Sequence, residues 1–411
     1  MNPAGLQHYS PQGLFDTDGL HLVIAGRRLV DIVEDLGCTP VYVYSRDVIS
    51  RRIQALKSRL PPQVRLHYAV KANPMPEVVN HVATLVDGLD VASGRELSTA
   101  LLSGMQPADI SFAGPGKSQW ELTESLAAGI TLNVESETEF ERIVRISRTL
   151  NKTANVALRI NPDFELRASG VKASGGAQPF GVDAETAPGL LEKIAASDAK
   201  FAGFQIFSGS QTLRAEALIE AQAKTFALAR QLSQHAGLPV RKLNIGGGFG
   251  IPYFPGDAPL VLTPVIENLN ALLAQYRKEF ATTEVILELG RYLVGEAGLY
   301  VTRIIDRKVS RGSTYLITDG GLNHHLAASG NFGQAVRRNY PVTIGNRLGE
   351  PAEKVSVVGP LCTPLDILAK NMDLPRADIG DLVVVFQSGA YGYTASPLNF
   401  LSHPEPKEYL A

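Results

Sequence analysis

The stretch HYAVKANP, residues 67–74, places a lysine where an apolar run ends. The residues before Lys71 are typical of a strand buried in a core, and Asn73-Pro74 follows the lysine directly. A lysine at the end of a strand usually extends its ammonium group to water. Lysine is also a nucleophile that forms Schiff bases with carbonyl compounds. Residues elsewhere in the chain must distinguish between these two roles for Lys71.

Apolar, β-rich runs like the one before Lys71 recur along the chain, with helix-like segments between them. The predicted strands are 66–70, 89–92, 110–113, 132–135, 156–160, 203–207, 243–245 and 285–289. Because these runs lack polar alternation, we expect strands that are buried on both faces and therefore parallel. Eight β/α units predict a (β/α)8 barrel. An open, doubly wound sheet is the alternative.

The pattern changes near Gly298, where strands separated by turns replace the alternation with helices. This change predicts a second, mostly antiparallel β domain. The N-terminal stretch LHLVIAGRRLVDIV, residues 20–33, has the same strand-like pattern and is expected to join that domain. We therefore predict an N-terminal segment at 1–45 that contributes to the β domain, a barrel at 46–297 and the β domain at 298–411.

Composition narrows the class of protein. The chain has 411 residues, more than one hydrophobic core normally holds, so two domains are expected. Its net charge is −2 and it contains no basic block, so a nucleic-acid partner is not expected. We find no pattern typical of a signal peptide and no apolar run of membrane-spanning length. Cys38 and Cys362 lie far apart in the sequence, which favours a reducing compartment and predicts a cytoplasmic protein.

The predicted strand ends carry ionisable or glycine-rich elements, and in such barrels the chemistry lies at the C-terminal ends of the strands. These elements are Lys71, Asp90 with Glu96, Arg159, Ser210, Gly246–Gly248, Glu288 and Arg291. The three glycines let backbone N–H groups approach a phosphate, and Arg291 could clamp it with two hydrogen bonds. Neither a P-loop nor G-x-G-x-x-G is present, so ATP and NAD are poor candidates.

A nucleophilic lysine, a phosphate cradle and a buried carboxylate together favour pyridoxal 5′-phosphate (PLP) as the cofactor. Lys71 would form the Schiff base, and Glu288 would face the pyridine nitrogen and keep it protonated. The protonated ring is the electron sink that carbanion chemistry at Cα needs. A buried ion pair between Glu288 and Arg291 is the structural alternative.

The chain resembles a known family, the fold-type III PLP-dependent decarboxylases that act on diaminopimelate, ornithine and arginine. The motifs that carry the resemblance occur in the family's order between about residues 25 and 400. They are HYAVKANP, GLDVASGRE, LRINPD, GSQ, NIGGGFG, ELGRYLV, GPLCTPLD and QSGAY. Each motif is moderately specific, and their joint order makes the assignment strong.

The resemblance implies an alanine-racemase-like barrel and a role for each matching residue. Lys71 would be the Schiff-base lysine, supported by Asp90 and Glu96, with Glu288 at the pyridinium and Arg159 beneath the ring. The implied phosphate ligands are Ser210, the backbone of Gly246, Gly247 and Gly248, Gly290, Arg291 and Tyr391. Cys362 and Asp366 would reach the active site of a neighbouring subunit, which predicts a homodimer with shared sites.

Several positions depart from the diaminopimelate-type pattern. Phe207 stands where that family has a ring-stacking histidine; a phenyl ring can stack but can neither carry a charge nor donate a hydrogen bond. The segment LAASGNFGQAVRRNYP, residues 326–341, lacks the family's R-P-x-L-Y motif. On the substrate side we place Asp366, for a distal ammonium, and Arg337 and Tyr340 of this segment. Arg338 is the alternative to Arg337 for a distal carboxylate.

These changes resemble a branch that includes exosortase-associated decarboxylases and the butirosin-pathway decarboxylase, which acts on an aminoacyl group tethered to an acyl carrier protein. We predict a PLP-dependent carboxy-lyase that α-decarboxylates an amino acid or an amino-acid conjugate, with Cys362 or Lys71 returning the proton. Diaminopimelate decarboxylase of lysine biosynthesis is the main alternative, and an amino-acid racemase or a non-catalytic regulator are weaker ones.

The stretch RASGVKASGGAQPFG, residues 167–181, could admit or cover a long substrate arm, and a mobile surface loop is the alternative. His324-His325 could suggest a metal ligand pair, but adjacent histidines on a strand point apart and no carboxylate is spaced to help them. We predict no metal.

Overall fold

The structure is a computed structural model that describes residues 11–164, 171–172, 175–254, 256–332, 334 and 336–411. The chain folds into two compact units, each described by itself. The barrel unit consists of Arg52–Ile251 and Pro259–Leu293. The β unit consists of the described residues up to Arg51, Pro252–Ala258 and Val294–Ala411.

Eight parallel strands of the described chain close into a barrel, which confirms the predicted fold. In chain order, barrel strands 1 to 8 are Val64–Ala69, Gly88–Val91, Ile110–Phe112, Thr131–Val134, Asn155–Asn161, Lys200–Ile206, Lys242–Asn244 and Glu284–Leu289. Each strand pairs with the next, and strand 8 returns to strand 1 with Val285 opposite Val64. The open doubly wound sheet is thereby excluded.

A helix follows each barrel strand. These helices are Pro76–Ala83, Gly94–Leu102, Gln119–Ala128, Glu137–Leu150, Ala187–Ala195, Ala215–Ala236, Leu262–Gln275 and Arg291–Val294. Three of them are preceded by a serine whose hydroxyl accepts a hydrogen bond from the backbone N–H three residues later, namely Ser93, Ser118 and Ser136. This capping satisfies a donor that the first turn leaves unpaired and fixes where each helix begins. A further helix, Arg46–Lys57, precedes barrel strand 1.

The β unit is mostly antiparallel, as predicted. Its strands are Asp16–Thr17, Leu22–Ile24, Arg27–Arg28, Val41–Tyr44, Gly298–Ser310, Ser313–Thr318, Val342–Ile344, Ala352–Val358, Ile367–Pro375, Leu382–Val385 and Lys407–Leu410. The long strand Gly298–Ser310 pairs antiparallel with Val41–Tyr44, Leu382–Val385 and Ser313–Thr318. An N-terminal strand therefore does join the C-terminal sheet.

The N-terminal stretch 20–33 differs from its predicted strand character. It forms two short strands, Leu22–Ile24 and Arg27–Arg28, and then enters the helix Leu29–Leu36. Leu29, Ile32 and Val33 are buried, and this i, i+3, i+4 spacing is helical. The strand that joins the main sheet is Val41–Tyr44, which lies beyond the predicted stretch.

Candidate active site

Lys71 lies on a single 3₁₀ turn, Val70–Ala72, that follows barrel strand 1. Its neighbours Val70 and Ala72 are buried, whereas Lys71 is exposed. A hydrogen bond from the Tyr68 hydroxyl to the Asn73 carbonyl oxygen, 2.9 Å long, ties the strand to the residue that follows the turn. The strand thus ends one residue before the predicted boundary at 70, and the lysine is presented at the C-terminal rim of the barrel.

Two groups lie near the Lys71 ammonium. Its Nζ atom is 5.8 Å from the centre of the Phe207 ring, which follows barrel strand 6. Glu96 accepts a hydrogen bond from the Ala92 backbone N–H at 2.7 Å. Burial raises the pKa of Glu96, although that hydrogen bond and the charge of Lys71 act to lower it. The Lys71 ammonium therefore lies near an aromatic face and interacts electrostatically with the Glu96 carboxylate.

Asp90 lies on barrel strand 2 in a buried polar chain that crosses four strands. The His67 Nδ1 atom lies 3.3 Å from Asp90 Oδ2, and the Ser111 hydroxyl donates to Asp90 Oδ1. Asn133 Nδ2 in turn donates to the Ser111 oxygen at 3.0 Å. Gly88 leaves the room for the imidazole, because an added Cβ there would overlap the His67 ring.

Glu288 is buried on barrel strand 8 and is held by two amides. Gln205 Nε2 on strand 6 and Asn244 Nδ2 on strand 7 both donate to Glu288 Oε2, at 2.8 and 2.9 Å. Within the described residues, the hydrogen bonds to this carboxylate all reach Oε2. Oε1 is therefore left to accept a hydrogen bond from a ligand.

The glycines after barrel strand 7 form a turn that tolerates no side chains. Gly246 and Gly248 have φ values of 65° and 76°, in the left-handed region that favours glycine. A Cβ on Gly247 would overlap the Glu288 carbonyl oxygen. Because glycines carry no side chains, a phosphate can approach the backbone of this turn closely, so the turn fits the phosphate of PLP.

Other predicted phosphate ligands of the barrel unit adjoin this turn or the lysine. Ser210 lies on the short strand Gly209–Ser210, and the next residue but one, Thr212, donates its backbone N–H to the Gly248 carbonyl at 3.0 Å. A Cβ on Gly290 would lie 2.9 Å from the Ala72 Cβ, so Gly290 packs on the turn that carries Lys71. Arg291 begins the next short helix.

Arg159, on barrel strand 5, contacts a glutamate that the sequence analysis did not single out. Its Nη1 atom donates to Glu135 Oε1 at 2.9 Å, and its guanidinium lies 5.2 Å from the centre of the Phe180 ring. Glu135 also accepts from the backbone N–H of Gly181 at 3.1 Å. The Arg159–Glu135 ion pair therefore links the C-terminal ends of strands 4 and 5, and Glu135 also holds one end of the loop that follows strand 5.

A second ion pair that the sequence analysis did not predict, Lys117 with Glu139, adjoins Glu135, whose backbone N–H donates to Glu139 Oε2 at 2.7 Å. Lys117 Nζ donates to Glu139 Oε1 at 2.9 Å and to the Asn133 carbonyl oxygen at 2.8 Å, and the lysine side chain is fully buried. Burial raises the pKa of Glu139, while Lys117 acts to lower it. The signal that the sequence offered is that Glu135 ends its predicted strand, 132–135, on a charge.

The loop at 167–181 is described in part, because 167–170 and 173–174 lie outside the described residues. Val171–Lys172 forms a short strand that pairs antiparallel with Gly209–Ser210. The backbone of this loop therefore borders Ser210. Its predicted role around a substrate arm stays a prediction.

In the β unit, Cys362 is exposed, so it is not a core residue of the single chain. Asp366 is buried and accepts hydrogen bonds from the backbone N–H groups of Leu361 at 2.8 Å and Leu322 at 2.6 Å. The carboxylate is enclosed by Gly321 and Gly359, where an added Cβ would overlap it. These contacts make Asp366 the residue that holds the turn carrying Cys362, and its contact with substrate stays a prediction.

The other substrate candidates are engaged within the β unit. Arg337 donates to the carbonyl oxygens of Ser329 and Ile367, both at 2.8 Å, and its burial lowers its pKa. Tyr340 is buried, with its ring centre 5.0 Å from that of Tyr253. Tyr391, the remaining predicted phosphate ligand, is half-buried and adopts a φ of 55°.

The two adjacent histidines are buried and bonded to the β unit itself. His325 Nε2 contacts the Ser388 hydroxyl at 2.9 Å, and His324 Nε2 contacts the Pro404 carbonyl oxygen at 2.9 Å. Burial lowers the pKa of His325 to about 3. Across the described ranges, no group of three or more His, Cys, Asp or Glu side chains is placed to hold a metal ion. No helix in that part of the chain is both long and apolar enough to span a membrane.

The barrel unit therefore presents a lysine amine, a glycine cradle for a phosphate and a carboxylate with one open oxygen at one rim. This combination defines the class of PLP enzymes built on a (β/α)8 barrel. Residues 46–295 match the family model described as the pyridoxal binding domain of pyridoxal-dependent decarboxylases. The chain belongs to that family, and it is a PLP-dependent amino-acid carboxy-lyase.

Individual relatives extend over nearly the whole chain. The L-glutamyl-[BtrI acyl-carrier protein] decarboxylase of Niallia circulans is 36% identical over 379 residues, which cover 90% of this chain and 88% of the relative. The diaminopimelate decarboxylase of Aquifex aeolicus is 33% identical over 394 residues, covering 95% and 90%. The solved diaminopimelate decarboxylase from M. jannaschii superposes with a TM-score of 0.86 at 26% identity, covering 97% of this chain and 93% of that chain.

Proposed function

We propose that this enzyme removes the α-carboxylate from an amino acid whose distal end is conjugated, as in an aminoacyl thioester on an acyl carrier protein. When bound, the cofactor supplies an electron sink for the charge left on Cα. The relative from Niallia circulans, named for a substrate of this kind, supports the proposal. The observation that carries the proposal is that Arg337, Arg338 and Asp366, the residues predicted to bind the distal charges of a free diamino acid, are already bonded to other groups of the protein.

A free diamino acid such as diaminopimelate carries a distal ammonium and a distal carboxylate. Arg337 is committed to two backbone carbonyls, and Arg338 pairs with Asp257 at 3.2 Å. Arg337 is partly buried and is held by both carbonyls, so it does not readily exchange them for a substrate. Arg338 is exposed, and its surface ion pair with Asp257 is weak. A conjugated distal end carries no such charge and needs no such partner.

The distal ammonium meets the same difficulty. Asp366, the candidate for it, is buried and accepts two backbone hydrogen bonds. A substrate whose distal end is an amide or a thioester instead needs an active-site entrance wide enough for the conjugated group. The loop that includes Val171–Lys172 borders Ser210, and we assign it to that entrance.

The family resemblance and, for the barrel residues, the geometry of the barrel unit support the remaining proposed roles. Lys71 supplies the amine that holds the cofactor, and Phe207 provides a face for its ring, 5.8 Å from the lysine nitrogen. Glu288 Oε1 would accept a hydrogen bond from the ring nitrogen, and the Gly246–Gly248 turn, Ser210, Gly290, Arg291 and Tyr391 would hold the phosphate. Asp90 and Arg159 fix the surroundings through His67 and Glu135. Cys362 or Lys71 returns a proton to Cα.

We further propose a homodimer in which Cys362 of one subunit serves the site of the other. Cys362 is exposed in the single chain, which supports an approach to a second subunit. We assign the enzyme to the cytoplasm and to a biosynthetic pathway, on the basis of its two unpaired cysteines and the reaction it is proposed to catalyse.

Release of CO2 from a panel of substrates tests the proposal. The panel contains free meso-diaminopimelate, lysine, ornithine, arginine and glutamate beside a pantetheine thioester formed through the side-chain carboxylate of an amino acid, with its α-carboxylate free. We expect a higher kcat/KM for the thioester and weak or absent turnover of diaminopimelate. Efficient turnover of free diaminopimelate would instead support the second candidate, diaminopimelate decarboxylase, which the 33% identity to the Aquifex aeolicus enzyme favours.

A further inference from the structure

Asn244, at the end of barrel strand 7, bonds two separate parts of the proposed cofactor site. Its Nδ2 atom donates to Glu288 Oε2 at 2.9 Å, and its Oδ1 atom accepts from the Gly246 backbone N–H at 2.8 Å. The side chain is buried. One amide therefore joins the carboxylate to the first residue of the glycine turn.

The orientation of this amide is fixed by chemistry. An ionised carboxylate can only accept a hydrogen bond and a backbone N–H can only donate one, so a flipped amide would oppose like with like at both ends. An aspartate at position 244 would keep the bond from Gly246 but would set a second carboxylate against Glu288. Two carboxylates at this distance cannot both be ionised without a large cost.

Gln205 repeats the arrangement from the neighbouring strand. It lies opposite Asn244 in the register of strands 6 and 7 and donates to the same oxygen of Glu288 at 2.8 Å. Gln205 is 2% exposed, and its Oε1 atom has no hydrogen-bond partner among the residues that the structure describes. A buried acceptor without a partner costs stability, so the fold keeps this amide at a cost.

The backbone reinforces the same connection. The Glu288 N–H donates to the Gly246 carbonyl oxygen at 2.8 Å. Gly246 is thus bonded to Glu288 directly and to its carboxylate through Asn244. A shift of the glycine turn would displace the carboxylate, and the reverse also holds.

We propose that Asn244 and Gln205 are positioning residues that grip Glu288 by Oε2, keep Oε1 open to the cofactor, and lock the carboxylate to the glycine turn. This inference rests on the proposed assignment of Glu288 and the glycine turn to PLP. Neither amide needs to touch the cofactor.

A thermal unfolding cycle on the cofactor-free protein tests the hydrogen bond itself. Asn244→Asp should lower Tm by several degrees at pH 8, because it opposes two carboxylates. In a Glu288→Gln background the new glutamine amide can donate to the introduced aspartate, so most of that loss should disappear. Asn268→Asp is the matched control, since Asn268 bonds Gln222 on a helix pair and does not contact Glu288. Equal losses in both backgrounds would overturn the inference.

Titration with PLP, followed by absorbance, tests the consequence for the cofactor. Relative to wild type at each pH, Asn244→Asp should weaken binding about tenfold or more at pH 8 and recover towards pH 6, where the carboxylate pair can share a proton. Asn268→Asp should bind as wild type does. A pH-independent loss, or none, would refute the positioning role. Failure of the wild type to bind PLP would instead refute the proposed function.

Discussion

The Leu361 backbone N–H donates to Asp366 Oδ2 at 2.8 Å, so a buried acid holds the start of the turn that carries Cys362. The other carboxylate oxygen accepts from the Leu322 N–H at 2.6 Å, in a second segment of the β unit. The turn is therefore not held by its own sequence alone. Its geometry depends on a residue that lies four positions after the cysteine.

Replacing Asp366 should therefore act through the position of Cys362. Asp366→Asn keeps one acceptor but turns an N–H donor towards a backbone N–H, which should cost about 1–3 kcal/mol of unfolding free energy and lower kcat. Urea denaturation and steady-state kinetics measure the two effects. Asp373→Asn, at an exposed strand position, is the control and should change neither. A stable variant with unchanged kcat but a raised KM would show that Asp366 contacts substrate instead.

Lys71 is expected to be the residue that carries the cofactor. Borohydride reduction of the PLP-loaded enzyme should fix a pyridoxyl group on the peptide that contains AVKANP, as peptide mass spectrometry would show. Lys71→Ala should bind PLP weakly and show negligible turnover, because the amine that bonds the cofactor is lost. Lys224→Ala, at a half-exposed lysine paired with Glu220 in the same unit, should behave as wild type. Label on a different lysine would refute the assignment.

Phe207 should support the cofactor by stacking alone. Phe207→Ala should weaken PLP affinity by about 2–10-fold, the loss expected for one aromatic contact. Phe207→His should retain affinity and introduce a pH dependence near the ordinary histidine pKa, about 6.5, in the absorbance of the bound cofactor. Phe201→Leu, near the start of barrel strand 6, is the control. If Phe207→Ala bound PLP as tightly as wild type, the ring would not be the stacking partner.

The barrel could be predicted from the sequence because its signals are local. Continuous apolar runs, serine caps and glycines after helices each act over a few residues, and their repetition determined the strand count. The rim residues followed from the strand ends, since Lys71, Asp90 and Glu288 lie at or near the C-terminal ends of different strands. The signal for the helix Leu29–Leu36 is also local, because its buried residues follow helical spacing, and the strand prediction for this stretch is wrong.

The hydrogen-bond partners at the rim could not be predicted in the same way. Which amide faces Glu288 depends on the register between strands 6, 7 and 8, and that register is set by packing around the whole barrel. The pairing of Arg159 with Glu135 has the same origin. The engagement of Arg337 and Asp366 by backbone groups likewise depends on tertiary contacts. Sequence identifies such residues as charged but not as already partnered.

His325 should make the stability of the protein depend on pH. Its pKa is lowered to about 3 in the folded protein, whereas an unfolded histidine titrates near 6.5. The folded state therefore binds fewer protons, so this contribution to stability is complete above about pH 6.5 and is lost as the pH falls towards 3, at about 1.4 kcal/mol per unit. Urea denaturation between pH 4 and 8 should show a shallower pH dependence for His325→Gln. His235→Gln, at an exposed position, should keep the wild-type slope, and an unchanged slope in His325→Gln would refute the prediction.

Subunit mixing should reveal whether the active sites are shared. Lys71→Ala and Cys362→Ala subunits should each be nearly inactive alone. In a shared arrangement, a mixed dimer has one site that combines the intact Lys71 of one chain with the intact Cys362 of the other. Equal mixing should then restore about a quarter of wild-type activity, because half of the dimers are mixed and half of their sites are intact.

The same experiment separates a shared site from one built within a single chain. If Lys71 and Cys362 of the same chain formed each site, every subunit in the mixture would carry one defect and no activity would return. Mixing the Lys71→Ala subunit with a Lys71→Ala/Cys362→Ala double variant is the matched control, because no combination of these chains supplies an intact lysine. Subunit exchange is confirmed first with two differently tagged wild-type chains, so that an absence of recovery after exchange refutes the shared site.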